Sequence, residues 1–155
     1  MRFSLSKPEA GWSSFDVYDD AGMNIISLPL SYIDDVVSMF LDMFIQYKAD
    51  GRVDYREFDT EGSSWILYMS PTGLIIINEQ TAVERNSLSF SSESESVFDI
   101  KSISLFCDVQ DFMKQIVNCI NNDIDAWKSF SCFESSEYAD WLKNTTNKIN
   151  QIMEE

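Results

Sequence analysis

Residues 52–79 read RVDYREFDTEGSSWILYMSPTGLIIINE. Three β-favouring runs, 52–59, 64–70 and 73–79, are separated by Thr60-Glu61-Gly62-Ser63 and Ser70-Pro71-Thr72-Gly73, clusters whose residues suit tight turns. The stretch therefore predicts a meander of three strands. Trp65, Leu67 and Met69 alternate with Ile66 and Tyr68, and residues 74–77 are apolar at every position. That pattern predicts central strands covered at least in part on both faces.

On the N-terminal side, WSSFDVY at 12–18 and the run 23–28 flank Asp19-Asp20-Ala21-Gly22, which predicts a hairpin. About ten residues precede it and are expected to be flexible. After Pro29, Ser31 reads as the N-cap of a helix whose apolar stripe is Ile33, Val36, Val37, Phe40, Leu41, Phe44 and Ile45 and whose end is Gly51. Asp34 and Asp35 would then lie in the first turn, where the helix dipole favours them. On the C-terminal side, 87–91 and 96–106 read as a further hairpin around Ser92-Glu93-Ser94-Glu95. Two helices close the chain. One carries Val109, Phe112, Met113, Ile116, Val117 and Ile120, and the other Tyr138, Trp141, Leu142, Thr145, Ile149 and Ile152. The predicted class is α+β, with a mainly antiparallel sheet built from an N-terminal hairpin, a helix and a strand meander, and with two C-terminal helices. At 155 residues the chain is long enough for one core, so residues 1–155 are read as a single domain.

With 26 Asp and Glu against 11 Lys and Arg, the formal charge is −15. Such a chain is expected to bind neither nucleic acid, whose phosphates require Lys and Arg, nor an anionic membrane surface. Hydrophobic residues at 45% exclude a disordered acidic tail. The first residues lack the apolar run of a secretory signal and no stretch is long enough to span a bilayer, so a soluble, cytoplasmic protein is expected. Cys107, Cys119 and Cys132 are an odd, widely spaced set, read as reduced and buried thiols.

His is absent, and neither a Gly-rich phosphate loop nor a nucleophile elbow is present. The expectation is a protein that is not an enzyme, with no catalytic residue, no metal and no cofactor. Asp50-Gly51-Arg52-Val53-Asp54-Tyr55-Arg56-Glu57 resembles part of a calcium-binding loop, but Gln46 and Lys48 would occupy its first and third ligand positions. A helix C-cap leading into a strand explains the same residues. Acids set among aromatic rings combine long-range steering with contact area, as protein interfaces do. The expected partner-binding residues are therefore Trp12, Asp16, Tyr18, Asp19, Asp20, Asp54, Tyr55, Glu57, Asp59, Glu61, Glu93 and Glu95.

The Trp12 strand, the Leu28-Pro29-Leu30-Ser31-Tyr32 entry to the first helix, the Asp59-Thr60-Glu61-Gly62 turn before Trp65 and a closing helix with Tyr138 and Trp141 together resemble bacterial toxin-immunity proteins, including those of contact-dependent growth inhibition. The resemblance implies a cytoplasmic protein that binds and neutralises a cognate toxin domain, a basic nuclease by expectation, by covering its active site. It assigns no interface residue. The alternative is an acidic secretion chaperone that holds an effector segment, and a third reading is an enzyme working through carboxylates alone.

Overall fold

The computed structural model describes residues 1–79, 101–130 and 137–154. Strands β1 (Arg2–Leu5), β2 (Trp12–Tyr18) and β3 (Asn24–Ser31) form one antiparallel sheet in that order. Helix α1 (Val36–Asp50) leads to a second antiparallel sheet, β4 (Asp54–Asp59), β5 (Ser64–Ser70), β6 (Gly73–Glu79) and β7 (Lys101–Phe106), again in sequence order. Helices α2 (Val109–Asn122), α3 (Ile124–Phe130) and α4 (Tyr138–Met153) follow. The α+β class, the N-terminal hairpin and the meander stand as expected from the sequence. Among the described residues, no helix is long and apolar enough to cross a membrane.

Three local readings change. Residues 2–5, placed in the expected flexible stretch, form β1, with Phe3 and Leu5 buried and the Phe3 amide donating to Gln115 Oε1 at 2.7 Å. Ser31 does not cap α1, because it stays in β3 opposite Trp12. The cap is Asp35, whose carboxylate accepts from the Ser38 amide at 3.1 Å. Both residue types cap helices well, and strand pairing up to Ser31 delays the helix start to the second of them. Asp34 thus precedes the helix, and Ile33 is exposed rather than on its buried stripe. A short helix, α3, lies between the two expected ones and buries Trp127 and Phe130. Two turns are too few to show a helical stripe in sequence. The second expected hairpin is described only from residue 101 onward, and its Ser92–Glu95 loop lies outside the described residues, as does Cys132.

The inner faces of both sheets meet α1 and α2 around a cluster of rings. Phe15 of β2 lies 5.6 Å from Trp65 of β5, 6.1 Å from Phe40 of α1 and 6.3 Å from Phe112 of α2. Trp65 stacks on Phe58 at 4.3 Å, and Phe44 and Phe3 pack edge-on to Phe112. The stripe read on α2 is the buried face of that helix, residue for residue. Helix α4 is tied to α1 by Lys148 and Asp42 at 2.7 Å and by Lys48 donating to the Ile152 carbonyl. Gly73 opens β6 with φ 141°, where a Cβ would stand 2.1 Å from the Leu105 carbonyl oxygen. Only glycine permits the β6–β7 approach at that point.

Candidate protein-interaction face

Strand alternation divides β4–β7 into two faces. Phe58, Trp65, Leu67, Met69, Leu74, Ile76 and Leu105 face the core and are buried. The opposite face is set by the register. Tyr55 pairs with Tyr68, which pairs with Ile75, which pairs with Ser104; Glu57 pairs with Ile66, then Ile77, then Ser102; Asp59 pairs with Ser64. Phe106 stands on this face opposite Gly73. Tyr55 is 54% exposed, Ile75 40% and Phe106 83%, while Ile66, Tyr68 and Ile77 are half-buried, so this side is covered only in part. Contiguous exposed apolar side chains of this kind mark contact surfaces.

One end of the face is acidic. The Asp59 amide donates to Asp34 Oδ2 at 2.7 Å, and Asp59 Oδ1 in turn accepts from the Glu61 amide at 2.7 Å. Ser64 donates its hydroxyl to Glu57 Oε1, and Ser31 donates to Glu61 Oε1, both at 2.8 Å. Glu61 sits in the turn with φ 58°. Among the described residues, none of these four carboxylates forms an ion pair, whereas Asp54, Asp42 and Asp20 each do. Burial and the neighbouring charges of Asp59 and Glu57 push the Asp34 carboxyl above its ordinary range, despite the Asp59 amide. Beyond the acids stand Trp12, opposite Ser31, and Tyr32, whose amide bonds the Gly11 carbonyl at 3.0 Å and whose ring packs against Gly11. Trp12, Tyr32 and Ile33 are all exposed.

The raised Asp34 carboxyl gives a prediction with a definite sign. Its charged form opposes folding at pH values above its folded pKa, and that penalty disappears below the unfolded value. Asp34→Asn, which keeps an acceptor for the Asp59 amide, is expected to raise the thermal midpoint slightly at neutral pH. The gain should shrink as pH falls towards the ordinary aspartate range. Thermal unfolding of both proteins across pH checks this; a gain independent of pH would remove the cost of holding a charged, partly buried carboxyl as its cause.

The expected contact residues separate into distinct groups. Tyr55, Glu57, Asp59 and Glu61 come together on this face, with Trp12 beyond its acidic end. Asp54 does not join them: alternation turns it to the other face, where it pairs with Arg56 Nη1 at 2.8 Å. Asp16 is buried at 8% exposure and accepts from Ser14 at 2.7 Å and Ser27 at 2.6 Å, so it offers nothing to a partner. Tyr18, Asp19 and Asp20 lie at the far end of β2, about 20 Å from Trp12 at the rise of an extended strand. There Arg2 covers the Tyr18 ring at 4.0 Å, Asp19 accepts from the Met23 amide at 2.8 Å, and Asp20 pairs with the N-terminal amine, which holds its carboxyl low. Glu93 and Glu95 lie outside the described residues.

The sequence reading missed Tyr32, Ile33 and Asp34, assigned to the helix, and Ile66, Tyr68, Ile75, Ile77 and Phe106 on the open face. Period-two alternation through the meander could have grouped Ile66, Tyr68, Ile75 and Ile77 with Tyr55 and Glu57.

The calcium-like stretch is a helix end: Gly51 is left-handed at φ 65° and its amide bonds the Tyr47 carbonyl at 2.7 Å. Among the described residues, no group of three His, Cys, Asp or Glu side chains is placed to hold a metal ion. Burial and the nearby Asp108 and Asp111 push the Cys107 thiol up, away from thiolate character. No family model, curated protein or solved structure matches the chain.

Proposed function

We propose that the protein is an inhibitor of the toxin-immunity type, which acts in the cytoplasm without catalysis and neutralises a basic toxin domain by covering its active site. The observation that carries the reading is the open face of β4–β7, apolar at its centre and bordered by the carboxylates of Asp34, Glu57, Asp59 and Glu61, none of which is in an ion pair among the described residues. A domain that acts on nucleic acid gathers Lys and Arg to meet phosphate. Such a group of carboxylates attracts that surface from a distance, and the apolar centre then excludes water from the contact. Steered association of this kind reaches about 10⁸–10⁹ M⁻¹s⁻¹ at low salt, the speed a neutraliser needs.

The test is recovery of a stoichiometric partner from the native lysate with the tagged full chain, followed by expression of that partner alone and with this protein. A basic partner that is toxic alone and harmless in the pair is the expected result. A secreted effector that is harmless in its producer would favour a chaperone, and recovery of no partner would sink the inhibitor reading.

A further inference from the structure

We propose that Tyr55, Tyr68 and Glu57 form a guanidinium-binding site that receives an arginine side chain of the protein partner. The inference rests on the reading of this face as the partner-binding surface and names the anchor that it takes.

The two rings stack across β4 and β5 with centroids 5.3 Å apart and planes 29° from parallel. Tyr55 belongs to the edge strand and is more than half exposed, so the stack presents an open aromatic surface. Glu57 follows two residues along β4 on the same face, about 7 Å away at the rise of a strand. Ser64 fixes one of its oxygens by the hydroxyl bond already described and leaves the other to accept. A guanidinium lying on a ring within about 6 Å of its centroid can direct its N–H edge to such a carboxylate. Its planar, weakly hydrated form meets both requirements together, whereas an ammonium offers a point charge to one or the other.

The chain itself uses this pairing elsewhere. In the first sheet, Arg2 is the cross-strand neighbour of Tyr18 and its guanidinium lies over that ring. In the second sheet the row Tyr55, Tyr68, Ile75, Ser104 contains no cation. The nearest arginine in sequence, Arg56, is turned away and engaged by Asp54, the Tyr55 carbonyl and Gln46 Oε1. Among the described residues, an aromatic pair and a carboxylate are thus left without a third, cationic member, and the carboxylates at the acidic end of the face favour a positive one.

Aromatic NMR signals of the full chain, titrated with N-acetyl-arginine methylamide and separately with its lysine counterpart at equal ionic strength, test the site. The expected result is a saturable shift of the Tyr55 and Tyr68 ring signals with arginine, with a dissociation constant on the order of 10 mM, as suits one ring contact and one charged hydrogen bond. Lysine should act more weakly. Glu57→Gln, which can still accept from Ser64, should weaken the arginine response about five-fold. Equal shifts with both amides, a response untouched by Glu57→Gln, or no saturable shift would overturn the site. Because these probes replace the partner, failure of the titration strikes the arginine site alone. A successful titration with no toxic partner recovered would strike the inhibitor reading instead.

Discussion

Replacing Trp65 by alanine is expected to cost about 3–5 kcal/mol of stability, the range for a large aromatic removed from a packed core. Domains hold only about 5–15 kcal/mol in total, so the variant should unfold at much lower denaturant or be largely unfolded at 37 °C. Trp65 joins the two sheets. Its ring, 1% exposed, stacks on Phe58 within its own sheet and on Phe15 of the other at 14° between planes. Its Nε1 donates to the Pro29 carbonyl in β3 at 2.8 Å. Trp65→Phe keeps part of the stack and loses the hydrogen bond to that carbonyl, so it should cost less, about 0.5–1.5 kcal/mol for the bond beyond the smaller loss of ring burial. Denaturant midpoints of the three proteins provide the check. A midpoint for Trp65→Ala close to the parent would mean that the sheets are not held together there. The junction also bears on function, because the acidic end is assembled from β4, the turn after it and the segment following β3. A Trp65→Phe protein that remains folded should therefore bind its partner more weakly.

Element types were legible wherever a periodic run ended in a strong turn signal. Strands 64–70 and 73–79 and the α2 stripe stand where the sequence placed them, since Gly62, Gly73 and Asp108 mark their limits. The start of α1 was less legible because Ser31 and Asp35 compete, and strand pairing with Trp12 decides between them. Part of the candidate face was present in sequence as the 54–61 cluster. Strand alternation sends Asp54 to one side and Tyr55, Glu57 and Asp59 to the other, a distinction that proximity in sequence conceals. Asp34 reaches the Asp59 amide across 25 residues of chain through a tertiary contact that no local pattern announces. Asp16 failed for a related reason. Ser14 and Ser27 converge on it only once β2 and β3 are paired in register, and they turn an exposed-looking acid into a buried, satisfied one.

Two of the acidic groups read from the sequence, 16–20 and 54–61, can be separated by rate. The triple variant Glu57→Gln, Asp59→Asn, Glu61→Gln is expected to slow association with the basic partner about ten-fold at low ionic strength, the lower end of what electrostatic steering supplies. Each replacement retains an acceptor for Ser64, the Glu61 amide or Ser31, so the turn and the strand end keep their hydrogen bonds. The double variant Asp19→Asn, Asp20→Asn removes charge from the other end of β2, farther from the acidic end than the Debye length of about 8 Å at physiological salt. It should associate at nearly the parent rate. Most of the −15 charge survives in both, so a difference between them isolates local attraction from the field of the whole chain. Stopped-flow association across a salt series gives the answer. The triple variant's rate should depend less steeply on salt and meet the parent's rate at high ionic strength, where screening removes the steering from both. Equal slowing in the two variants would assign the attraction to net charge alone and place the interface away from the β4–β7 face. A fall confined to the triple variant would place the partner's basic residues at the acidic end formed by Glu57, Asp59 and Glu61, at the border of the apolar centre.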